Sequence, residues 1–293
     1  MTTARLLAMA LAGSLLAAGG NALRKADAPR PGPTPSGPTA ASAVRGSEPA
    51  PLVGADATGT APLQDLDEYN APYDAKLHFV RVVFTPRSRG GDMFGRRRGG
   101  REPMWAHDYP RAERNFMKII DEMTFAPTLV DGSNILTLDD PRLFQYPIAY
   151  IVEVGYWEPT DEEAASLGAY LEKGGFLIVD DFRGEWELRN LAFQLDRAVP
   201  GAQLQMLDES HEIFDSFFRI ELAKVVPPYT RDVPFWYGVF EDNDPDKRLM
   251  AIVNYNNDIA EYWEFSDLGY YPIDLSNEAY KLGVNYLIYA LTH

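Results

Sequence analysis

The segment TDEEAASLGAYLEKGGFLIVDD, residues 160–181, carries both ends of a helix and a complete strand. Thr160 is followed three residues later by Glu163, the spacing at which a side-chain hydroxyl and a carboxylate satisfy each other's backbone N–H groups at a helix start. Ala164, Leu167 and Leu171 then fall on one face, and Gly174-Gly175 supplies the left-handed backbone that ends a helix. Phe176-Leu177-Ile178-Val179 has no polar alternation. Such a strand is buried on both faces, as in a parallel sheet covered by helices on each side. It ends in Asp180-Asp181.

Working outward, Ile148-Ala149-Tyr150-Ile151-Val152-Glu153-Val154 precedes the helix as a second apolar strand, so the three elements form a βαβ crossover. Further upstream the sequence predicts a first strand over Leu77–Phe84 and a helix over Tyr109–Met123. That helix has Phe116, Ile119, Ile120 and Met123 recurring at threes and fours, and a short strand near Pro127–Val130 follows it. Downstream come a helix near Glu185–Ala198, a strand near Gln203–Leu207 and a short helix after Ser210. Past Pro227-Pro228 the composition becomes aromatic-rich. Two strands, Phe235–Phe240 and Leu249–Tyr255, flank the acidic turn Glu241–Asp246 as a hairpin, and a final helix spans Asn277–Leu291. The expected fold class is α/β: a mostly parallel sheet with helices on both faces, an aromatic-rich C-terminal hairpin and a last helix packed back on the sheet.

The N-terminal residues read differently. A basic start at Arg5, an apolar run from Leu6 to Ala18 and small residues from Gly19 to Ala22 form the three-part pattern of a secretory signal, assigned to residues 1–23. The run is shorter than the roughly 20 residues of a membrane span, so any membrane contact is expected only through an uncleaved signal segment. Residues 24–72, rich in Pro, Ala, Gly, Ser and Thr, have little apolar surface to offset their ordering entropy and read as a disordered linker. Residues 73–293 form the folded domain. The expected location is exported, periplasmic or extracellular.

The 293-residue chain carries a formal charge of -16, which repels phosphate backbones and argues against nucleic-acid binding. It contains no Cys, so thiol nucleophiles, disulfides and thiolate metal sites are excluded. None of its four His residues has the spacing of a zinc motif. Asp242, Asp244 and Asp246 share the spacing of a calcium loop, but Lys247 and Val253 occupy positions that such a loop reserves for Gly and Glu. No metal and no cofactor are expected.

A set of motifs adds a resemblance: Trp105-Ala106-His107-Asp108-Tyr109-Pro110, Asn115, Leu138-Asp139-Asp140-Pro141, Tyr146-Pro147, the run Gly174–Phe182, and Leu282-Gly283-Val284-Asn285 with Tyr289-Ala290-Leu291-Thr292. Together they resemble the bacterial domain-of-unknown-function family numbered 4159, related to class I glutamine amidotransferase-like folds. The resemblance covers Leu77 to His293 and implies a flavodoxin-like, amidotransferase-like α/β domain with no established activity. Amidotransferases of that superfamily use a Cys nucleophile. This chain has none, so glutamine hydrolysis by that route is excluded.

In open α/β sheets ligands lie beyond the carboxyl ends of the strands, here residues 86–109, 155–159 and 180–184. Asp180 and Asp181 are candidates there to ligate a divalent cation or to act as acid and base, with His107 as a further catalytic candidate. The other reading makes one of the two carboxylates a helix cap and leaves the other solvated. Trp105, Asp108, Tyr109, Asn115 and Arg183 are candidate ligand-binding residues, although capping of the first helix also accounts for Asp108. Arg96, Arg97 and Arg98, in the one basic cluster, and the aromatics Trp236, Tyr237 and Trp263 are candidate partner-binding residues. Two functions compete. One is a non-catalytic binding or assembly domain of the cell envelope, working through a protein partner or self-assembly. The alternative is a hydrolase-type enzyme acting on a small or carbohydrate-like substrate through strand-end carboxylates.

Overall fold

The structure is a computed structural model, and it describes residues 66, 67, 69–86 and 103–293. Seven strands of the described residues form one mixed sheet: β1 (Val80–Val82), β2 (Asn134–Leu136), β3 (Ile148–Val152), β4 (Phe176–Phe182), β5 (Gln205–Leu207), β6 (Phe235–Phe240) and β7 (Leu249–Tyr255). Their order is β2-β1-β3-β4-β7-β6-β5. The first five in that order are parallel, and β6 runs antiparallel between β7 and β5.

Among the described residues there are five α-helices: α1 (Arg111–Met123), α2 (Asp161–Glu172), α3 (Gly184–Ala198), α4 (Ile259–Glu264) and α5 (Ile273–Thr292). Side-chain alternation along β4 divides the core in two. Phe176 and Ile178 face the residues of α1, α4 and α5, whereas Leu177 and Val179 face those of α2 and α3. The unalternating strand therefore belongs to a sheet covered on both sides, as its composition implies. The Thr160–Glu163 capping box is formed in both directions, with N–H to oxygen distances of 2.8 and 3.1 Å.

Several boundaries differ from those read in the sequence. The strand expected at Pro127–Val130 is a single bridge between Leu77 and Thr128, and the paired strand β2 lies beyond the Asp131-Gly132 turn. The packed residues reach back past Tyr73. Asn70, assigned to the linker, brackets Ile135: its side-chain oxygen accepts from Ile135 N at 2.7 Å and its amide donates to Ile135 O at 2.9 Å. The six-residue α4 was not expected. Asp258 caps it by accepting from Glu261 N at 3.0 Å, and the Asp-x-x-Glu spacing of residues 258–261 repeats the logic of residues 160–163. No helix of the described residues is long and apolar enough to cross a membrane.

Candidate functional site

The carboxyl ends of β3, β4 and β7 meet the segment that follows β1. At the end of β4, Val179 pairs with Val253 and Phe182 with Tyr255, so β4 holds one more residue than β7 over the same interval. This bulge breaks the alternation of side chains. Asp180 stays on the α1/α4/α5 face, Phe182 packs on the α2/α3 face, and Asp181 adopts a left-handed φ of 45°. Glu153, the residue after β3, has φ 53°, and Asp108, before α1, has φ 64°. Non-glycine residues seldom adopt this conformation, which concentrates at ligand and active sites.

These three strained positions and their neighbours converge. His107 Nδ1 lies 2.8 Å from Glu153 Oε1 and 3.2 Å from Asp181 Oδ2, so one ring nitrogen serves two carboxylates. Arg183 donates to the other Asp181 oxygen at 3.0 Å, and its guanidinium lies 4.9 Å from the Tyr229 ring centre. The Tyr229 hydroxyl in turn bonds Asp258 Oδ2. Asp108, Asp181 and Asp258 each bring a carboxylate oxygen within 4.8 Å of the others, and Asp108 does the same with Glu261 and Glu264.

The electrostatics follow from burial and from this pairing. Burial works against a charge on His107, but hydrogen bonds to Asp181 and Glu153 and their charges outweigh it and push its pKa up to about 10. Burial also opposes the charge on Asp181, yet the His107 hydrogen bond and the charges of His107 and Arg183 hold its carboxyl below the usual range. Glu153 moves up through burial and the nearby Asp181 charge. Asp108 and Asp258 are pushed well up by burial and then by neighbouring carboxylates. The site thus gathers more carboxyl groups than its two cations, His107 and Arg183, can pair, and burial and mutual repulsion oppose their ionisation.

Asp180 and Asp181 have different roles. Asp180 is fully buried and accepts from Tyr150 Oη at 2.6 Å, Asn254 Nδ2 at 3.1 Å, Ile259 N at 2.9 Å and Ala260 N at 3.3 Å. It ties β3, β4, β7 and α4 together, so its place as an acid or base is corrected to a structural one. Of the ligand-binding candidates, Asp108 and Arg183 are in the cluster. Asp108 does not cap α1 through its side chain, because Pro110 occupies the cap position. Trp105, 4% exposed, is packed into the α2/α3-side core, with the half-buried Tyr109 against it. Asn115 is a latch whose amide donates to Trp263 O at 2.9 Å and Glu264 O at 3.2 Å, fastening α1 to the end of α4.

Two partner-binding candidates are also corrected. Trp236 and Trp263, 4% and 1% exposed, lie in the core because β6 is an interior strand and α4 lays its aromatic face on the sheet. Tyr237 is half-buried beside the α2/α3-side core. Arg96, Arg97 and Arg98 lie outside the described residues. Sequence reasoning missed Glu153, Tyr229 and Asp258. The capping spacing of residues 258–261 could have found Asp258, whereas nothing local marks Glu153 as left-handed. The expectation of no metal rested on local signals, the missing Cys, the His spacings and the incomplete calcium loop, whereas the carboxylates of Asp108, Asp181 and Asp258 come together from separate segments.

A family profile described as "Domain of unknown function (DUF4159)" matches residues 95–291. A search of curated proteins finds no match. His107, Asp108, Glu153, Asp181, Arg183, Tyr229 and Asp258 all lie inside the matched span. That span covers more than half of the 293-residue chain: this protein belongs to the DUF4159 family.

Proposed function

We propose that this chain is an exported hydrolase acting on a small or carbohydrate-like substrate at the carboxyl ends of β3, β4 and β7. The single observation that carries this reading is His107 Nδ1 held between Glu153 and Asp181 on left-handed backbone. A carboxylate at Nδ1 fixes the ring and leaves Nε2 for the reaction. Nε2 makes no hydrogen bond among the described residues, and the His107 side chain is one-fifth exposed. In this mechanism water attacks the substrate and its oxygen forms the new bond. The bond to the leaving group breaks, His107 Nε2–H gives its proton to that group, and a cluster carboxylate accepts the proton of the water. Glu153 and Asp181 are positioning residues that keep His107 charged.

Export draws support from the signal pattern of residues 1–23. A flavodoxin-like ancestry, shared with glutamine amidotransferase-like folds, draws support from the parallel order β2-β1-β3-β4-β7, with the missing Cys setting the chemistry apart. The test of function is turnover of chromogenic glycosides and esters by the purified protein. We expect hydrolysis in one of these classes, lowered about 100-fold in kcat by His107→Gln. Absence of turnover in both classes, or an unaltered rate in His107→Gln, would contradict the reading.

An assembly role has one observation in its favour. Met206, on the outermost strand β5, is 65% exposed, and a groove of about 410 Å³ nearby is lined by Leu207, Leu222, Val225, Val233 and Phe235. If copies associate there, sedimentation velocity shows a dimer that Met206→Lys dissociates. A monomer at all concentrations removes this reading.

A further inference from the structure

We propose that Asp108, Asp181 and Asp258 form a binding site for a hard divalent cation, of the Mg²⁺, Mn²⁺ or Ca²⁺ kind. The three carboxylates come from the segments after β1, at the end of β4 and after β7, and each brings an oxygen within 4.8 Å of the other two. A cation that binds carboxylate oxygens at about 2.0–2.6 Å sets its ligands no more than about 4–5 Å apart, so donors gathered this closely can share one ion.

A second observation is independent of the grouping. Asp108 is half-buried as a residue, but its Oδ2 reaches no solvent and has no hydrogen-bond partner. Next to Asp258, Asn257 is 2% exposed, and neither its side-chain oxygen nor its nitrogen has a partner. Buried polar atoms are nearly always satisfied, and an orphan carboxylate oxygen is the costliest kind to leave unmade. Among the described residues, protein cations do not answer the need. Arg183 and His107 are committed to Asp181 and Glu153, and Arg81 is committed to Glu113, with its Nε donating at 2.7 Å.

The donor set names the ion class. All three donors are carboxylate oxygens, which favour Mg²⁺, Mn²⁺ and Ca²⁺ over the softer metals that His and Cys select. Glu261 and Glu264, close to Asp108, extend the same donor type along α4. Cation binding here is independent of turnover, so its failure and the failure of the hydrolase reading are separate results.

The experiment is calorimetric titration of EDTA-treated, dialysed full-length protein with MgCl₂, MnCl₂ and CaCl₂, with melting temperature followed in parallel. At least one of the three is expected to bind saturably with one equivalent and to raise the melting temperature, since a ligand bound only by the native state stabilises it. Asp108→Asn is expected to weaken that affinity at least tenfold while tolerating the left-handed backbone, as Asn does. Asp258→Asn, which keeps the cap of α4, is expected to do the same. Asp246→Asn, in the exposed turn between β6 and β7, is expected to leave the affinity unchanged. No saturable binding of any of the three salts overturns the site, as does undiminished affinity in both Asp108→Asn and Asp258→Asn or a loss confined to Asp246→Asn.

Discussion

Replacing Asp180 by Ala would strand four donors at once: the Tyr150 hydroxyl, the Asn254 amide and the backbone N–H groups of Ile259 and Ala260. Each buried donor left unmade costs about 1–3 kcal/mol, so Asp180→Ala is expected to lower stability by at least about 3 kcal/mol in urea unfolding. Loss of less than about 1 kcal/mol would mean that α4 is held some other way. Arg81 and Glu113 give a second residue-scale expectation. Both are fully buried and paired, with the guanidinium 4.7 Å from the Tyr150 ring centre. Removing one partner leaves an uncompensated charge, so Glu113→Ala is expected to cost about 3–5 kcal/mol by the same measurement.

At this scale the sequence marks Asp180-Asp181 as important without dividing their roles. Which of the two leaves the sheet depends on a bulge set by pairing with β7, whose residues lie more than 70 positions later in the chain. His107 was legible as a residue that capping does not explain. Its partner Glu153 was not, because an apolar strand followed by Glu reads the same whether the backbone turns left-handed or continues extended.

Elements follow the same division between local and distant causes. The α2–β4 unit is legible from end to end because its stop and start signals are local. Removing the Thr160 hydroxyl by Thr160→Ala takes away one capping hydrogen bond and is expected to cost about 1 kcal/mol. Where elements meet, the backbone sets the tolerance. A Cβ on Gly168 in α2 would run into the backbone carbonyl of Ala198 at the end of α3, and a carbonyl cannot rotate away as a side chain can. Gly168→Ala is therefore expected to destabilise by about 1–3 kcal/mol despite its better helix propensity, seen as a lower urea midpoint. A midpoint equal to or above wild type would show that the two helices slide apart freely. By contrast, β2 and α4 escaped the sequence reading because each is too short for a full period. Both are fixed by partners remote in sequence, β1 for the strand and Asp180 for the helix.

Over the whole molecule, the alternation of apolar strands with amphipathic helices made the α/β class and its mostly parallel sheet legible, while the convergence of residues 107, 153, 181 and 258 needed three dimensions. The formal charge of -16 is partly folded inward, and this has a pH signature. Burial raises Glu187 to about 7 from an ordinary value near 4.5, against a hydrogen bond from Arg183 N at 2.8 Å that favours its charged form. A carboxyl whose folded pKa is raised gives stability that is complete below its unfolded pKa and lost as pH rises through the folded one. The contribution of Glu187 should therefore disappear between about pH 4.5 and 7. Glu187→Gln is expected to melt higher than wild type at pH 8 and to match it more closely at pH 4.5. An equal difference at both values would remove Glu187 as the cause.

The proposed catalytic role of this cluster is tested most directly by a single variant, Asp181→Asn, measured for kcat on a hydrolysed substrate together with its melting temperature. If Asp181 holds His107 for chemistry, kcat per folded molecule falls about 100-fold, over and above the melting temperature lost with its pairing to His107 and Arg183. A large drop in melting temperature with kcat per folded molecule unchanged would contradict the account and make the His107–Asp181 contact a strut of the fold.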